Sequence, residues 1–398
     1  MVDISRAYAR DARPAVPVAP NDAQRRPARQ EPKDSHWVAL PAIVALLCGI
    51  GLMMVLSASS VQALRAYGGP WMFFQRQLMW VAAGAVAMAV VMRIDYRKWR
   101  ALATPMTLLC MVLLVAVLVP SVGITVGGSS RWLGMGQLRF QPSELTKLAV
   151  LLFVADLLAR RTARHGSAAM VLRPALVLMV VTSLLILRQP DMGTASIVVL
   201  IVLALLFVGG VPLPRMAALT GIVAAAGVFF SLAEGYRRAR VFSFLNPWED
   251  PTNTGYQMAQ SLVALGTGNL TGVGLGASRA KWGFLPNAHT DFIFAIIGEE
   301  LGLVGSVLVV ALFVAFAAFG VRAAVHAPDT FGTLVAAGVT VWVVGQAVIN
   351  VGAVIGILPV TGVPLPFVSF GGSSLVITMA AVGILANVAR QGCAPRGR

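Results

Sequence analysis

The stretch that decides the fold runs from Trp282 to Gly302, WGFLPNAHTDFIFAIIGEELG. A polar loop carrying His289 and Asp291 passes directly into an apolar run holding two further carboxylates, Glu299 and Glu300. An acid is costly to keep at the mouth of a membrane helix, so such a residue marks a functional site by default. The position also suits a ligand whose headgroup stays in water while its tail enters hydrocarbon. Along a helix, Glu299 lies about 12 Å deeper than Asp291. Glu300 falls on roughly the opposite face from Asp291. One of these two glutamates is therefore expected to be a structural hydrogen-bond partner.

On both sides of this stretch, apolar runs of about twenty residues recur between Leu40 and Asn387, each long enough to span a bilayer. The 398 residues are 58% hydrophobic and 12% charged, with a mean hydropathy of +0.80. That is far more apolar than an ordinary soluble domain. The pattern predicts an all-α integral membrane protein with about ten transmembrane helices. They are expected near 39–61, 72–92, 101–119, 143–159, 173–188, 193–211, 216–233, 290–321, 330–356 and 373–390. The eighth run is long enough to tilt or to extend beyond the bilayer. Residues 1–38, rich in Arg, Pro, Ala and Asp, read as a disordered tail. Residues 39–390 form the membrane domain, and 391–398 a second tail. Leu40–Leu56 is not the core of a cleaved signal peptide, because the charged region before it is much too long.

The net charge of +15 follows the membrane pattern and does not suggest nucleic acid. Most Arg and Lys flank apolar runs, as orientation signals do, and no aromatic–basic nucleic-acid motif stands out. Arg93, Arg97, Lys98 and Arg100 form one basic connection, and Arg160, Arg161, Arg164 and Arg173 another. Both share a side with the Arg-rich N-terminus and with Arg390, Arg396 and Arg398, so both termini are expected in the cytoplasm. The opposite face takes the long connections at 120–142, 234–289 and 357–372. The largest of these lies between the seventh and eighth spans. Against the orientation rule, Arg131, Arg139, Arg188, Arg237, Arg238, Arg240, Arg279 and Lys281 fall on that outer side. As a group they suggest an anionic ligand, since Arg and Lys are the usual partners of phosphate oxygens.

Several motifs could carry chemistry. Gln141-Pro142-Ser143-Glu144 and Gln189-Pro190-Asp191 look like two helix starts, with Pro in the first turn and an acid at the positive end of the dipole. Glu144 and Lys147 share a helix face and should pair inward. That pair can order the bundle or act directly, and both readings stand. Asp291 is the strongest catalytic candidate; His289 is less specific. The Gly-rich run 266–276 lacks the Gly-Lys-Ser/Thr ending of a phosphate-binding P-loop. The Pro- and Gly-punctuated run 356–374 is expected to be a re-entrant loop, since irregular backbone at membrane depth must be covered by protein or line a cavity. Cys48, Cys110 and Cys393 are too scattered for a disulfide framework or zinc site, and His36, His165, His289 and His326 form no metal-ligand cluster.

Taken together, Ser130–Leu133, Phe140–Lys147, Gln189–Ala195, His289–Glu300 and Pro359–Ser374 resemble the SEDS family, the FtsW and RodA proteins of bacteria. The match spans nearly the whole membrane part. Pro286–Asp291 followed by Ile296–Glu300, the run Val55–Ser60 and the long polar N-terminus look more like the FtsW branch than the RodA branch. The resemblance implies a peptidoglycan glycosyltransferase that polymerises lipid II into β-1,4 glycan strands at the outer face of the cytoplasmic membrane, at the division septum. It implies Asp291 as the essential outer-loop acid and Glu144 and Lys147 as a buried pair near a central cavity. Arg131, Lys281 and the loop carrying Ser369 and Ser373 would line the outer site, with His289 supporting it. The implied partners are lipid II and the growing glycan strand, a class B penicillin-binding protein and other membrane proteins of the divisome. A divalent cation, Mg or Mn, is an admissible helper. Two other readings remain: a lipid II flippase, weakened because transporters usually bind near the midplane within inverted repeats, and a non-catalytic division scaffold.

Overall fold

The computed structural model describes residues 36–126, 129–135, 138–165, 172–233, 235, 238, 243–253 and 255–393. The N-terminal tail up to residue 35, residues 394–398 of the second tail, and Arg237 and Arg240 lie outside the described residues. A helix occupies each of the ten apolar runs. These are α1 (His36–Tyr67), α2 (Met72–Arg93), α3 (Trp99–Val117), α4 (Pro142–His165), α5 (Leu172–Leu187), α6 (Met192–Val208), α7 (Leu213–Ala233), α9 (Ile293–Val325), α10 (Thr330–Val354) and α11 (Gly372–Gly392), while α8 (Tyr256–Thr267) is an extra helix in the long connection. Seven of them, α1–α3, α7 and α9–α11, are long and apolar enough to cross a membrane, and α5 and α6 are shorter apolar helices. The α4 helix fills the place of the fourth span but carries Glu144, Lys147, Asp156 and Arg160.

Two features go beyond the ten expected helices. The connection after α3 folds into a three-stranded antiparallel meander, β1 (Ile124–Val126), β2 (Ser129–Met135) and β3 (Leu138–Phe140). Its strands pair β-branched Ile124 with Trp132, and Leu133 with Phe140, so each pair sets an aliphatic side chain against an aromatic ring, as suits a sheet. The second is α8, which packs on α9.

Of the seven long apolar helices, α10 and α11 are the most enclosed and α7 the least. Side-chain bonds gather at the two ends of the bundle. At one end, the Tyr96 hydroxyl (2.8 Å) and Arg97 Nε (2.9 Å) both donate to Asp329, and Arg97 also reaches Gln391 at 3.1 Å. There Arg100 and Arg160 share Asp156, each at 2.8 Å. The other end collects the starts of α2, α4, α6, α9 and α11 and the last turn of α10. Gln141, just before α4, donates to Asp191, just before α6, at 3.0 Å, and its backbone N–H reaches Ser373 Oγ of α11 at 3.3 Å.

The long eighth run is a broken helix. Inside α9, Gly302 has φ +67° and ψ −162°, a conformation essentially restricted to glycine. The helix bonds lost at the break are replaced by the connection after α8. Val273 and Gly274 N–H donate to the carbonyls of Glu299 (2.9 Å) and Glu300 (3.1 Å). In return, Leu303 and Val304 N–H reach the carbonyls of Asn269 (2.9 Å) and Leu270 (3.2 Å). A helix can break inside a membrane only where neighbouring protein takes up its backbone groups in this way. The half-helix from Ile293 to Leu301 is thereby fixed, and with it the turn that precedes it.

Candidate functional site

That turn carries Asp291. The acid does not begin the helix, as its position suggested; it lies in the turn just ahead of the N-cap residue Phe292. Asn287, at φ +57°, allows the chain to reverse, with Thr290 N–H bonded to its carbonyl at 3.1 Å. Three consecutive carbonyls of the turn then accept donors from other parts of the fold. His289 C=O accepts from Phe370 N–H at 3.0 Å, Thr290 C=O from Ser369 Oγ at 2.6 Å, and Asp291 C=O from Asn350 Nδ2 at 2.8 Å. The Asp291 side chain is half-buried and faces Gly362, where an added Cβ would stand 3.6 Å from its Oδ2. Gly362 has φ +74°, so the backbone runs past the carboxylate without a side chain in between.

His289 sits between two aromatic rings, with centroid distances of 4.9 Å to Phe73 and 5.8 Å to Phe370. Burial lowers its pKa to about 4, because a charged imidazole would lose its hydration there. It is neutral at physiological pH and packs the turn; it does not offer a positive charge. Ser369 also accepts from Leu365 N–H at 2.8 Å, and Gln77 of α2 donates to its carbonyl at 3.2 Å. Thus α2, α9, α10 and the 356–371 loop meet around Asp291. Most residues from Val363 to Ser369 are buried, so this irregular segment is covered by protein.

The other residues singled out in the sequence support this frame from farther away. Glu144 and Lys147 form an ion pair of 2.8 Å, with side chains 4% and 2% exposed. Lys147 also donates to Gln346 at 3.1 Å and lies 5.0 Å from the Trp342 ring centroid. Gln346 passes the connection on, donating to Pro364 C=O at 2.9 Å. Arg131 donates to the carbonyls of Gln189 (3.0 Å) and Pro190 and approaches Asp191 at 3.9 Å, so it ties the meander to the α5–α6 turn. Lys281 is buried against Glu300 at 3.4 Å and also donates to Gly276 C=O. Its ammonium thus lies under the loop that carries it, where it supports the outer site. Both glutamates are hydrogen-bond partners. Glu299 accepts from Ser278 Oγ and from Arg279 N–H at 2.8 Å, and Glu300 from Ser57 Oγ at 2.6 Å. Of the outer basic group, Arg139, Arg188, Arg238 and Arg279 are exposed.

A crevice of about 590 Å³ opens between the end of α1 and the start of α2, lined by Tyr67, Trp71, Met72, Gln75, Arg76 and Met79. Phe73, on another face of the same α2 turn, packs on His289. Among the described residues no group of three or more His, Cys, Asp or Glu could hold a metal ion. Sequence reasoning missed Gln77, Gln346 and Asn350. The signal was available: Gln346 and Asn350 are one turn apart in an otherwise apolar helix, and a polar residue inside a membrane helix calls for a partner.

The sequence profile of the cell cycle protein family FtsW/RodA/SpoVE matches residues 38–393. The chain is 42% identical over 359 residues to stage V sporulation protein E of Bacillus subtilis, covering 90% of this chain and 98% of that protein. It is 46% identical over 362 residues to the probable peptidoglycan glycosyltransferase FtsW of Thioalkalivibrio sulfidiphilus, covering 89% of each. Among solved structures, a chain from work described as "Structural coordination of polymerization and crosslinking by a peptidoglycan synthase complex" superimposes with a TM-score of 0.71 at 30% identity, over 89% of this chain and 97% of that one. The rod shape determining protein RodA of Thermus thermophilus gives 0.63 at 28% identity, over 88% and 96%.

Proposed function

The chain belongs to the FtsW/RodA/SpoVE family of cell cycle proteins, and from that premise we propose that it is a peptidoglycan glycosyltransferase of cell division, polymerising lipid II into β-1,4 glycan strands. The observation that carries the site assignment is the pinned turn: three successive backbone carbonyls, from His289 to Asp291, are each held from outside. A general base must be presented in a fixed position to a substrate hydroxyl, and such a clamp supplies that.

Asp291 takes the proton from the 4-hydroxyl of the acceptor sugar. That oxygen attacks the anomeric carbon of the growing strand from the face opposite the lipid diphosphate. The bond to the diphosphate breaks, the configuration inverts, and the lipid diphosphate leaves with the electron pair. Exposed Arg188 and Arg279 offer positive charge to the leaving group. Glu144, Lys147, Arg131, Lys281, Ser369, Ser373 and His289 hold the surrounding frame. The crevice beside α2 provides apolar wall for a polyprenyl tail. A divalent cation, if used, would be held mainly by the diphosphate, as is usual for Mg, and no step depends on it.

All ten helices that fill the apolar runs cross the membrane in this reading. Both termini face the cytoplasm, and Asp291 faces outward at the septum. A class B penicillin-binding protein cross-links the product, with other divisome membrane proteins alongside. The flippase reading has less support, because the polar turn sits at one end of the bundle and not at its middle.

The test is lipid II polymerisation by the purified chain with its transpeptidase partner in liposomes. Asp291→Asn is expected to lower turnover by about 10²- to 10⁴-fold, the usual contribution of a positioned base, with folding and partner binding intact. Strands made at the wild-type rate by Asp291→Asn would remove Asp291 as the base. Lipid II translocation without polymerisation by the wild type would favour the flippase.

A further inference from the structure

Asn350 lies in the last turns of α10, is 2% exposed, and bonds no charged side chain among the described residues. Its side-chain nitrogen has two hydrogens, and both are used across one gap. One bond runs to Asp291 C=O at 2.8 Å and the other to Val363 C=O at 2.7 Å. Its oxygen, by contrast, meets no donor among the described residues. A buried amide whose two donors are satisfied while its acceptor is not has been placed for its donors.

The two carbonyls belong to the two walls of the candidate site. Asp291 is the proposed base. Val363 follows Gly362, the residue whose backbone passes the Asp291 carboxylate. The far side of that segment rests on the start of α6, where a Cβ on Gly193 would collide with Val363 and Thr361. One turn below Asn350, Gln346 donates to Pro364 C=O, so α10 holds the segment at two successive carbonyls. The Gln346 amide nitrogen bonds the loop, while its oxygen accepts from Lys147 and Trp342; the Asn350 nitrogen bonds the loop and Asp291 together.

We infer that Asn350 is a positioning residue for glycosyl transfer: by bonding the carbonyls of Asp291 and Val363 with one amide nitrogen, it sets the width of the slot in which the Asp291 carboxylate meets the acceptor hydroxyl. The inference rests on the reading of Asp291 as the base. Widening or skewing the slot misplaces the carboxylate while leaving lipid II binding, which uses other surfaces, largely unaltered. The effect therefore falls on turnover and spares KM.

The experiment compares wild type, Asn350→Asp, Asn350→Gln and Asp291→Asn as complexes with the transpeptidase partner in liposomes. Asn350→Asp keeps the shape and removes the paired donors; Asn350→Gln keeps both donors and displaces them by one methylene. Thermal unfolding and partner retention select the folded variants, and kcat and KM for lipid II are measured on those. The expected result is a fall in kcat of tenfold or more in whichever Asn350 variant is folded, with KM within twofold of wild type. Wild-type kcat in a folded Asn350 variant, with Asp291→Asn inactive, overturns the positioning role and leaves the base intact. So does a rise in KM at unchanged kcat. Wild-type activity of Asp291→Asn overturns the base itself. Should Asn350→Asp fail to fold, Asn350→Gln, which retains the buried amide, decides the matter.

Discussion

At the scale of single residues, charge state separates support from chemistry. His289 could be taken for a cation awaiting phosphate, yet burial holds its pKa near 4. Its folded value lies below the usual 6.5, so the unfolded chain takes up the proton first as pH falls. The stability that the neutral ring contributes is therefore complete above about pH 6.5 and is lost on descending to about pH 4, amounting to at most about 3 kcal/mol. His289→Phe, which suits a site between Phe73 and Phe370, should flatten the fall of the unfolding temperature over that window, as measured by thermal unfolding in detergent from pH 7 to pH 4.5. The Glu144–Lys147 pair makes a second case. Removing one partner of a buried pair strands a charge and costs about 3–5 kcal/mol, whereas replacing both by apolar residues of similar size is often neutral. Glu144→Leu or Lys147→Met alone should sharply lower the yield of folded protein, and the double substitution should restore it, as size-exclusion profiles of the solubilised chain would record. Asp291, Glu144 and Lys147 were legible in the sequence because a charge in an apolar run stands out. Asn350 was not: it is uncharged, and its partners are backbone carbonyls from segments distant in the sequence.

At the scale of elements, the apolar runs were readable because each approaches or exceeds the length a bilayer requires; a helix fills every one of them, and seven of these helices are long and apolar enough to cross. What apolarity could not reveal was a change of course within a run. Residues from Ile293 to Val325 read as one continuous element, and only their length, about 50 Å as a straight helix, hinted otherwise. The break depends on Gly302 and on backbone partners thirty residues earlier. A Cβ at Gly302 would stand 2.4 Å from Gly272 N and 2.5 Å from Leu270 O, backbone atoms that cannot swing aside. Gly302→Ala combines that overlap with a disallowed conformation, each costing about 1–3 kcal/mol. It should lower the unfolding temperature and, by loosening the half-helix, polymerisation as well. Gly49, with nothing near its Cβ position, is the control: Gly49→Ala should leave both unchanged. The meander after α3 escaped notice for a related reason. Its strands are three to seven residues long, too short for alternation to speak, and β2 is held in place through Arg131 by carbonyls at the α5–α6 turn.

At the scale of the whole molecule, the two ends of the bundle are chemically unlike, and that difference orients it. One end carries Arg97, Arg100 and Arg160 around Asp329 and Asp156; by the orientation rule, the proposed topology assigns this end to the cytoplasm. The Asp291 end also bears basic residues, several of them engaged in bonds that hold loops, so total charge alone would not tell the ends apart. Their arrangement does, since short connections weigh most in orientation and the short α2–α3 and α9–α10 links lie at the Arg97 end. Cysteine chemistry can test this without disturbing the fold. Cys48 and Cys110 are buried, whereas Cys393 is exposed just beyond α11, at the Arg97 end. A membrane-impermeant maleimide should therefore modify the wild-type chain in inside-out vesicles and not in right-side-out vesicles. Trp71→Cys, placed at the exposed start of α2 in a Cys393→Ser background, should give the reverse pattern. Modification of Cys393 from the outside would invert the bundle and put Asp291 in the cytoplasm, where lipid II polymerisation into a wall outside the membrane is impossible. The proposed reaction therefore requires this orientation, and labelling tests that requirement before any turnover is measured.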